Sequence, residues 1–143
     1  IKVWVIEKNP IYFCETLHVC PVHDGGKVNL NGLTITPSSG KVGATFQIEA
    51  LITVLNQTST GEIVITVTPP SGEPFGDSIL DTGFTEGNYD IKFSLKTDPT
   101  EQEAFTPGEY QVVITGCDGV CGSKLPHTYT LFEGKTNFTI VSA

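Results

Sequence analysis

The sequence predicts an all-β protein folded as an antiparallel sandwich of about seven or eight strands. Three observations lead to this prediction. Apolar and polar residues alternate with a period of two over several segments, which is typical of half-buried strands. Glycine and proline, present 15 and 9 times, separate these segments, as turn residues do. No segment repeats apolar residues at helical spacing over three turns. The length of 143 residues and the hydrophobic content of 38% suit one core rather than two large domains.

The longest predicted strand begins near residue 46, where one face is apolar throughout. Its inward residues are Phe46, Ile48, Ala50, Ile52 and Val54. A polar segment over residues 56–61 separates it from a second alternation formed by Ile63, Ile65 and Val67. Two alternating segments joined by a short polar turn predict a β-hairpin.

Shorter alternations predict the remaining strands. They cover residues 33–36, 78–80, 91–95, 110–114, 129–131 and 138–140. Short strands separated by Gly and Pro turns favour a sandwich over a mixed arrangement of helices and sheet.

Two runs of the sequence resemble extracellular immunoglobulin-like modules. The first, residues 33–48, reads LTITPSSGKVGATFQI and gives a short strand, a Pro and Gly turn and a long second strand. The second, residues 105–114, reads FTPGEYQVVI and is similar to the start of a late strand, where Tyr110 would anchor the corner. The resemblance implies a Greek-key, immunoglobulin-like domain over residues 33–143. It implies an architecture and not an activity.

The chain departs from antibody domains in two respects. The predicted strand at 46–54 contains no Cys, and Trp4 lies outside the module. A disulfide between the sheets and a Trp packed on it are therefore expected to be absent.

Residues 1–32 form a predicted extension ahead of the module. Its first six residues have strong strand propensity, and on one predicted strand Ile1, Val3 and Val5 face one way while Lys2, Trp4 and Ile6 face the other. Further on come an apolar stretch at 11–13, a loop between Cys14 and Cys20, and a connector over residues 25–32.

The apolar strand at the start has two interpretations. It adds to the sheet of its own domain, or it pairs with an open sheet edge of a neighbouring molecule and resembles a pilin-type donor strand. We favour the second interpretation, which predicts a self-assembly interface. Its residues are Ile1, Val3, Trp4, Val5 and Ile6.

Three features predict an extracellular protein. The chain has no Met and starts at Ile1, which a processed secretory precursor would explain. The sequons at Asn56 and Asn137 are predicted glycosylation sites. The four cysteines, an even set, predict two disulfides. These cysteines are Cys14, Cys20, Cys117 and Cys121. Three pairings are possible. The pairing of Cys14 with Cys20 and of Cys117 with Cys121 is favoured, because it needs no long-range contact.

The charge of the chain excludes several partners. There are 8 Lys and no Arg against 16 Asp and Glu, which gives a net charge of −8. Nucleic-acid backbones and anionic membrane surfaces need clustered cations, so neither is a predicted partner. No run of 18 apolar residues is present, so no insertion into a bilayer is predicted.

Two groups of residues are of types that bind metals. His18, His23 and His127 lie near the cysteines in sequence, but their spacing does not match a zinc module. The acids Asp24, Asp77, Asp81 and Asp118 are of the type that binds loop calcium, but no calcium-loop spacing is present. The prediction is that the protein has no metal or other cofactor.

Catalysis is not predicted either. Carboxylates are available for acid and base roles at Asp77, Asp81, Asp90, Glu101 and Glu103. They lie in polar, turn-like segments, and no nucleophile elbow or paired-His motif accompanies them.

The sequence therefore predicts an extracellular structural or adhesive protein that associates with copies of itself, head to tail and into filaments, by donating its N-terminal strand. A carbohydrate-binding module is the other interpretation. In that case Trp4, Tyr12 or Phe13 would stack on glycans.

Overall fold

The computed structural model describes residues 10–17, 19–20, 22–100 and 104–142. One short helix, α1, precedes eight strands in these residues. The bounds are α1 Pro10–Thr16, β1 Lys27–Thr36, β2 Ser39–Lys41, β3 Thr45–Asn56, β4 Gly61–Thr68, β5 Phe75–Asp81, β6 Gly87–Lys96, β7 Gly108–Asp118 and β8 Tyr129–Val141. Among the described residues there is no helix of the length and apolarity that a membrane crossing requires.

The strands form two sheets. The three-stranded sheet has the order β1-β3-β6, and the five-stranded sheet has the order β2-β8-β7-β4-β5. All neighbours are antiparallel except β2 and β8, which pair in parallel. The predicted fold class, an all-β sandwich, is confirmed.

The core lies between the two sheets and follows the alternation seen in the sequence. Phe46, Tyr110 and Phe138 are fully buried. The ring of Phe138 stacks on that of Tyr110, with centroids 5.0 Å apart, and meets the ring of Phe46 at a tilt, with centroids 4.4 Å apart. All five predicted inward residues of β3 are buried. The apolar face of β3 therefore packs on the five-stranded sheet, as a period of two requires.

The hairpin predicted from the segments at 46–54 and 63–67 is wrong. The first segment belongs to β3 in the three-stranded sheet, and the second belongs to β4 in the five-stranded sheet. Between them, Thr58, Ser59 and Thr60 are buried. The polar segment therefore carries the chain from one sheet to the other, instead of turning it back within one sheet.

Several bounds also differ from the prediction. The predicted connector at 29–32 is wrong, since these residues lie in β1, which begins ahead of residue 33. The two strands predicted at 129–131 and 138–140 are one strand, β8. Helix α1 and the short strand β2 were not predicted, and the pairing of β2 is the exception to an antiparallel sandwich.

Candidate functional site

Asp118, at the end of β7, is a fully buried carboxyl group. Its Oδ1 accepts a hydrogen bond from the backbone N–H of Ser59 at 3.0 Å, but its Oδ2 has no hydrogen-bond partner among the described residues. The absence of side chains at Gly26 and Gly61 leaves room for Asp118. A Cβ at Gly26 would lie 3.2 Å from Oδ2 of Asp118, and a Cβ at Gly61 would lie 3.0 Å from its Cα. Ionising a carboxyl group in such a place is unfavourable.

A second carboxyl group, that of Glu15 on α1, is buried at the same end of the sandwich. Only 5% of Glu15 is exposed, and neither of its carboxyl oxygens has a partner in the described part of the chain. Ile11, one helical turn earlier on the same face, is 2% exposed. This face of α1 is therefore buried, and the charge of Glu15 acts on Asp118.

We call Glu15, Asp81 and Asp118 the acidic junction. Burial, with smaller contributions from the charges of Asp81 and Glu15, raises the pKa of Asp118 to about 7, although the Ser59 N–H and the Tyr129 hydroxyl act to lower it. Burial also raises the pKa of Asp81 to about 6, although the N–H of Gly83 donates to its Oδ1 at 2.9 Å. Burial likewise raises the pKa of Glu15.

The linker between α1 and β1 is tied to the same end of the sandwich. Asp24 lies 2.9 Å from Nδ1 of His127, and this contact raises the pKa of His127. The N–H of Gly25 donates to the hydroxyl of Tyr129 at 3.1 Å, and the N–H of His23 donates to Oγ of Ser59. These bonds hold residues 22–26 beside the acidic junction.

The acidic junction is suited to binding and releasing protons near neutral pH, because its buried carboxyl groups have raised pKa values. It is not suited to binding a metal. In the described ranges, no group of three or more His, Cys, Asp or Glu residues has the geometry to hold a metal ion.

A second candidate site is a cleft between β5 and β6, at the open edge of the sandwich. The cleft has a volume of about 230 Å³. Its apolar lining comes from both sheets and consists of Ile48, Ile65, Val67, Phe75, Phe93 and Leu95. We call this feature the β5–β6 cleft.

Both strands beside the β5–β6 cleft are edge strands. β5 pairs only with β4, and β6 pairs only with β3, within the sheets of the described residues. On β5, Ile79 and Leu80 are 43% and 63% exposed. An edge strand with exposed apolar side chains and unpaired backbone groups is suited to pairing with another strand.

A wider depression of about 790 Å³, lined in part by Phe75 and Phe105, shares Phe75 with the β5–β6 cleft. Glu73 and Asp98 contribute negative charge to this depression, and Lys96 contributes a positive charge. Asp77 lines the β5–β6 cleft itself. The rim is therefore acidic overall.

The residues weighed as metal ligands fall in different parts of the structure. His18 lies outside the described residues, and His23 and His127 make the contacts given above. Of the acids considered for calcium, Asp24, Asp81 and Asp118 lie at or beside the acidic junction, whereas Asp77 lines the β5–β6 cleft.

Of the five acids weighed for catalysis, the three that the structure describes lie apart. Asp90 is exposed on β6, 3.7 Å from the ammonium group of Lys92. Asp81 belongs to the acidic junction and Asp77 to the cleft. Glu101 and Glu103 lie outside the described residues.

The cysteines form two local disulfides. One joins Cys14 to Cys20, just after α1, and the other joins Cys117 to Cys121, at the end of β7. This is the pairing that the sequence favoured, and it places no disulfide between the two sheets within the described residues.

The remaining predicted sites divide in two groups. Asn56 and Asn137 are both exposed, and Nδ2 of Asn56 donates to the carbonyl of Gly25 at 3.3 Å. The predicted self-assembly residues, Ile1, Val3, Trp4, Val5 and Ile6, lie outside the described residues. The side chains of Tyr12 and Phe13, considered for glycan stacking, are likewise outside what the structure describes.

Sequence analysis missed the acidic junction, although one signal pointed to it. Tyr110, Val112 and Ile114 alternate on the buried face of β7, and the same period continued for two steps reaches Gly116 and Asp118. Burial of Asp118 could therefore have been predicted. Nothing in the sequence indicates that Glu15 lies near it.

Comparison with known proteins shows clear relatives. The sequence profile described as "Countin C-terminal domain" matches residues 28–143. Countin-3 of Dictyostelium discoideum is 40% identical over 133 residues, which cover 93% of this chain and 60% of that protein. Countin-1 of the same organism is 38% identical over 138 residues, covering 96% of this chain and 54% of that protein. The chain thus spans little more than half the length of these relatives.

A solved structure shares the fold. The C-terminal domain of Wzt superimposes with a TM-score of 0.52 at 11% identity, covering 87% of this chain and 81% of that one. At this identity the likeness concerns the fold alone.

Proposed function

The chain belongs to the Countin C-terminal domain family, and we propose that it is an extracellular, non-enzymatic protein that works by associating with other protein subunits, above all with copies of itself. Two short disulfide loops support an extracellular location, since disulfides persist in oxidising compartments. The separate positions of Asp77, Asp81 and Asp90, the described acids among those weighed for catalysis, support a non-enzymatic role.

The observation that carries this proposal is the β5–β6 cleft. It combines two edge strands with an apolar lining, so it offers both backbone hydrogen bonds and a place for apolar side chains. A strand inserted there would satisfy the edge groups and bury its alternate residues. The surface of the β5–β6 cleft is therefore suited to binding an added strand.

We propose residues 1–6 of a neighbouring copy as that strand. Six extended residues reach about 20 Å, close to the roughly 23 Å of the seven-residue β5. Ile1, Val3 and Val5 would enter the cleft, each contributing roughly 1.5–3 kcal/mol if fully buried. Lys2 would then meet the acidic rim, to which Asp77 contributes.

A head-to-tail contact of this kind repeats from copy to copy. Because the donor and the acceptor are different surfaces, the contact is heterologous and extends into a filament unless the rotation closes a ring. Electron microscopy of native material tests this part of the proposal directly. Filaments or rings are expected, and uniformly monomeric particles would contradict it.

The association itself is tested by analytical ultracentrifugation of the intact chain and of a variant lacking residues 1–6. We expect the intact chain to form oligomers in a concentration-dependent way, and the shortened chain to stay monomeric with unchanged circular dichroism. If the shortened chain unfolds, these residues belong to its own core and strand donation is wrong.

Matched substitutions locate the two surfaces. On the donor, Val3→Asp should abolish association and Lys2→Ser should weaken it only slightly. On the acceptor, Ile79→Lys changes a residue on the core-facing side of β5, opposite Ile63, whereas Ser78→Lys changes the outward side, opposite Val64. We expect loss of association for Ile79→Lys alone. Equal effects of both acceptor variants would exclude the cleft as the acceptor.

A further inference from the structure

The outer face of the three-stranded sheet is a surface that the proposed function does not use. We propose that this face binds a neutral oligosaccharide through amide and hydroxyl groups that β1, β3 and β6 present side by side. Strand donation uses the edges of β5 and β6, so the two surfaces can be occupied independently.

Four rows of outward residues run across this face, with one residue from each strand in every row. The rows are Asn29, Thr53 and Asn88; Gly32, Leu51 and Asp90; Thr34, Glu49 and Lys92; and Thr36, Gln47 and Ser94. They alternate with the buried residues of β3, so they point away from the core. Seven of these twelve residues carry an amide or a hydroxyl group. The face is therefore dominated by neutral groups that form hydrogen bonds.

The charges on this face are paired with one another. Nζ of Lys92 lies 3.7 Å from Oε2 of Glu49 and 3.7 Å from Oδ2 of Asp90. These three residues leave one net negative charge on the face, whereas the chain as a whole has a net charge of −8. Because a polyanion needs clustered cations and a polycation needs clustered acids, the balanced face suits an uncharged ligand.

A chain of hydrogen bonds fixes the direction of two amide groups on this face. Nδ2 of Asn31 donates to Oγ1 of Thr53, and this hydroxyl donates to Oδ1 of Asn88 at 2.8 Å. Among the described residues, nothing bonds to the carbonyl oxygen of Asn31 or to the NH2 group of Asn88. One free acceptor and one free donor are thus held in place, which suits the hydroxyl groups of a sugar because each of them both donates and accepts.

A β-bulge brings Asn31 into this network. The register of β1 against β3 shifts between Leu30 and Gly32, which makes Asn31 the extra residue of β1. The regular partner of Thr53 on β1 is Asn29, so the bulge places a second amide beside Thr53. Bulges re-aim side chains and are frequent beside functional sites.

A depression of about 360 Å³ lies among these side chains. Its lining includes Asn31, Leu51, Asn88 and Asp90. Leu51 is 43% exposed and forms an apolar patch, which Gly32, its neighbour on β1, has no side chain to cover. Ligand sites combine apolar surface with a few placed polar groups. An oligosaccharide offers hydroxyl groups to the amides and the C–H surface of a ring to Leu51.

The test is an NMR titration of the full chain, labelled with nitrogen-15 and produced in bacteria so that it carries no glycan of its own. The probes are the neutral hexasaccharides of mannose, glucose and N-acetylglucosamine, with hexagalacturonate as the anionic counterpart. The reporters are the side-chain NH2 signals of Asn31 and Asn88 and the backbone N–H of Leu51. We expect saturable shifts with at least one neutral sugar at concentrations up to about 10 mM. Hexagalacturonate should bind at least tenfold more weakly, and equal binding would contradict a neutral ligand.

Isosteric variants locate the site. Asn88→Asp replaces the free NH2 donor by an acceptor, and Thr53→Val removes the hydroxyl that orients both amides. Each variant should weaken binding at least fivefold. Gln111→Glu is the matched control, because it makes the same change from amide to carboxylate at an exposed position of β7, in the other sheet. It should bind like the unchanged chain. If circular dichroism shows that Thr53→Val is unfolded, the exposed substitution Asn88→Asp decides the outcome.

Three further results would overturn the proposal. The first is the absence of shifts at the reporters with every neutral sugar. The second is equal weakening by Asn88→Asp and Gln111→Glu, because binding would then not depend on this face. The third is the appearance of the same shifts when the chain is concentrated without sugar, which would make the face an interface between copies of the chain.

Discussion

The hydroxyl of Tyr110 donates a hydrogen bond to the backbone carbonyl of Thr106 at 2.7 Å, four residues earlier in the chain. The ring of Tyr110 is fully buried and stacks on Phe138, so the bond joins the loop before β7 to the centre of the core. The sequence resemblance implied that Tyr110 would anchor this corner.

We expect Tyr110→Phe to lower the free energy of unfolding by about 1–2 kcal/mol, because the Thr106 carbonyl loses its donor while the packing of the ring is kept. Urea denaturation measures the change. Tyr89→Phe is the matched control, since the hydroxyl of Tyr89 makes the same four-residue bond to the carbonyl of Thr85, at 2.8 Å, in an exposed position. Tyr89→Phe should lower the free energy of unfolding by less than about 0.5 kcal/mol. Equal losses of stability in both variants would show that burial of the tyrosine does not determine what its hydrogen bond contributes.

The second prediction concerns Gly61 at the start of β4. A Cβ at this position would lie 1.9 Å from the carbonyl oxygen of Cys117, so the backbone of β7 would have to move. We expect Gly61→Ala to cost about 3 kcal/mol in thermal or urea unfolding, since the adjoining segment is fully buried.

Gly32→Ala is the control for this change. Gly32 lies in β1, and a Cβ there would meet only Leu51 Cδ1, at 3.9 Å, an ordinary contact. Its effect should stay within about 0.5 kcal/mol. A similar loss of stability in both variants would mean that glycine in a strand, and not the close approach to Cys117, explains the result.

Part of this structure could be predicted because it depends on local pattern. The alternation from Phe46 to Val54 predicts β3 and its buried face, since side chains of a strand point to opposite sides whatever its partners are. The same pattern does not identify the strands that pair with β3. The segment 56–61 is polar in the sequence, and a polar segment ends a strand without showing whether the next strand lies beside it or in the other sheet.

The acidic junction illustrates a second limit. Glu15, Asp81 and Asp118 come from α1, β5 and β7, and only the folded chain brings them together. The burial of Asp118 depends on glycines at positions 26 and 61, which are distant from it in sequence. Local pattern can indicate that a residue faces inward, but it cannot identify the groups that surround it there.

The third prediction concerns the sequons. Asn56 and Asn137 are both exposed, and Asn137 lies on the outer face of β8 opposite Gln111. In a chain secreted from eukaryotic cells we expect N-linked sugar at both positions. Intact mass before and after glycosidase treatment measures it, and the double variant with Gln at both positions should show no mass shift. An unmodified mass for the secreted, unchanged chain would contradict the prediction.

The fourth prediction separates the two disulfides. The bond between Cys117 and Cys121 closes a short loop at the end of β7, inside the sandwich, so its loss should lower the free energy of unfolding by about 2 kcal/mol. The bond between Cys14 and Cys20 closes a loop ahead of β1, so its loss should leave the unfolding of the sandwich unchanged. Paired Ser variants at each bond, compared by urea denaturation at pH 5.5, measure the difference.

Both variants should keep the β-rich circular dichroism of the unchanged chain, because neither disulfide takes part in the ring contacts of Phe46, Tyr110 and Phe138 at the centre of the core. Thiol counting under denaturing conditions should first find no free thiol in the unchanged chain. Four free thiols would show that neither disulfide forms in the protein. Equal destabilisation by the two paired variants would contradict the prediction. It would mean that the loop ahead of β1 and the sandwich unfold as one cooperative unit, joined by the bonds of the linker to Ser59, His127 and Tyr129.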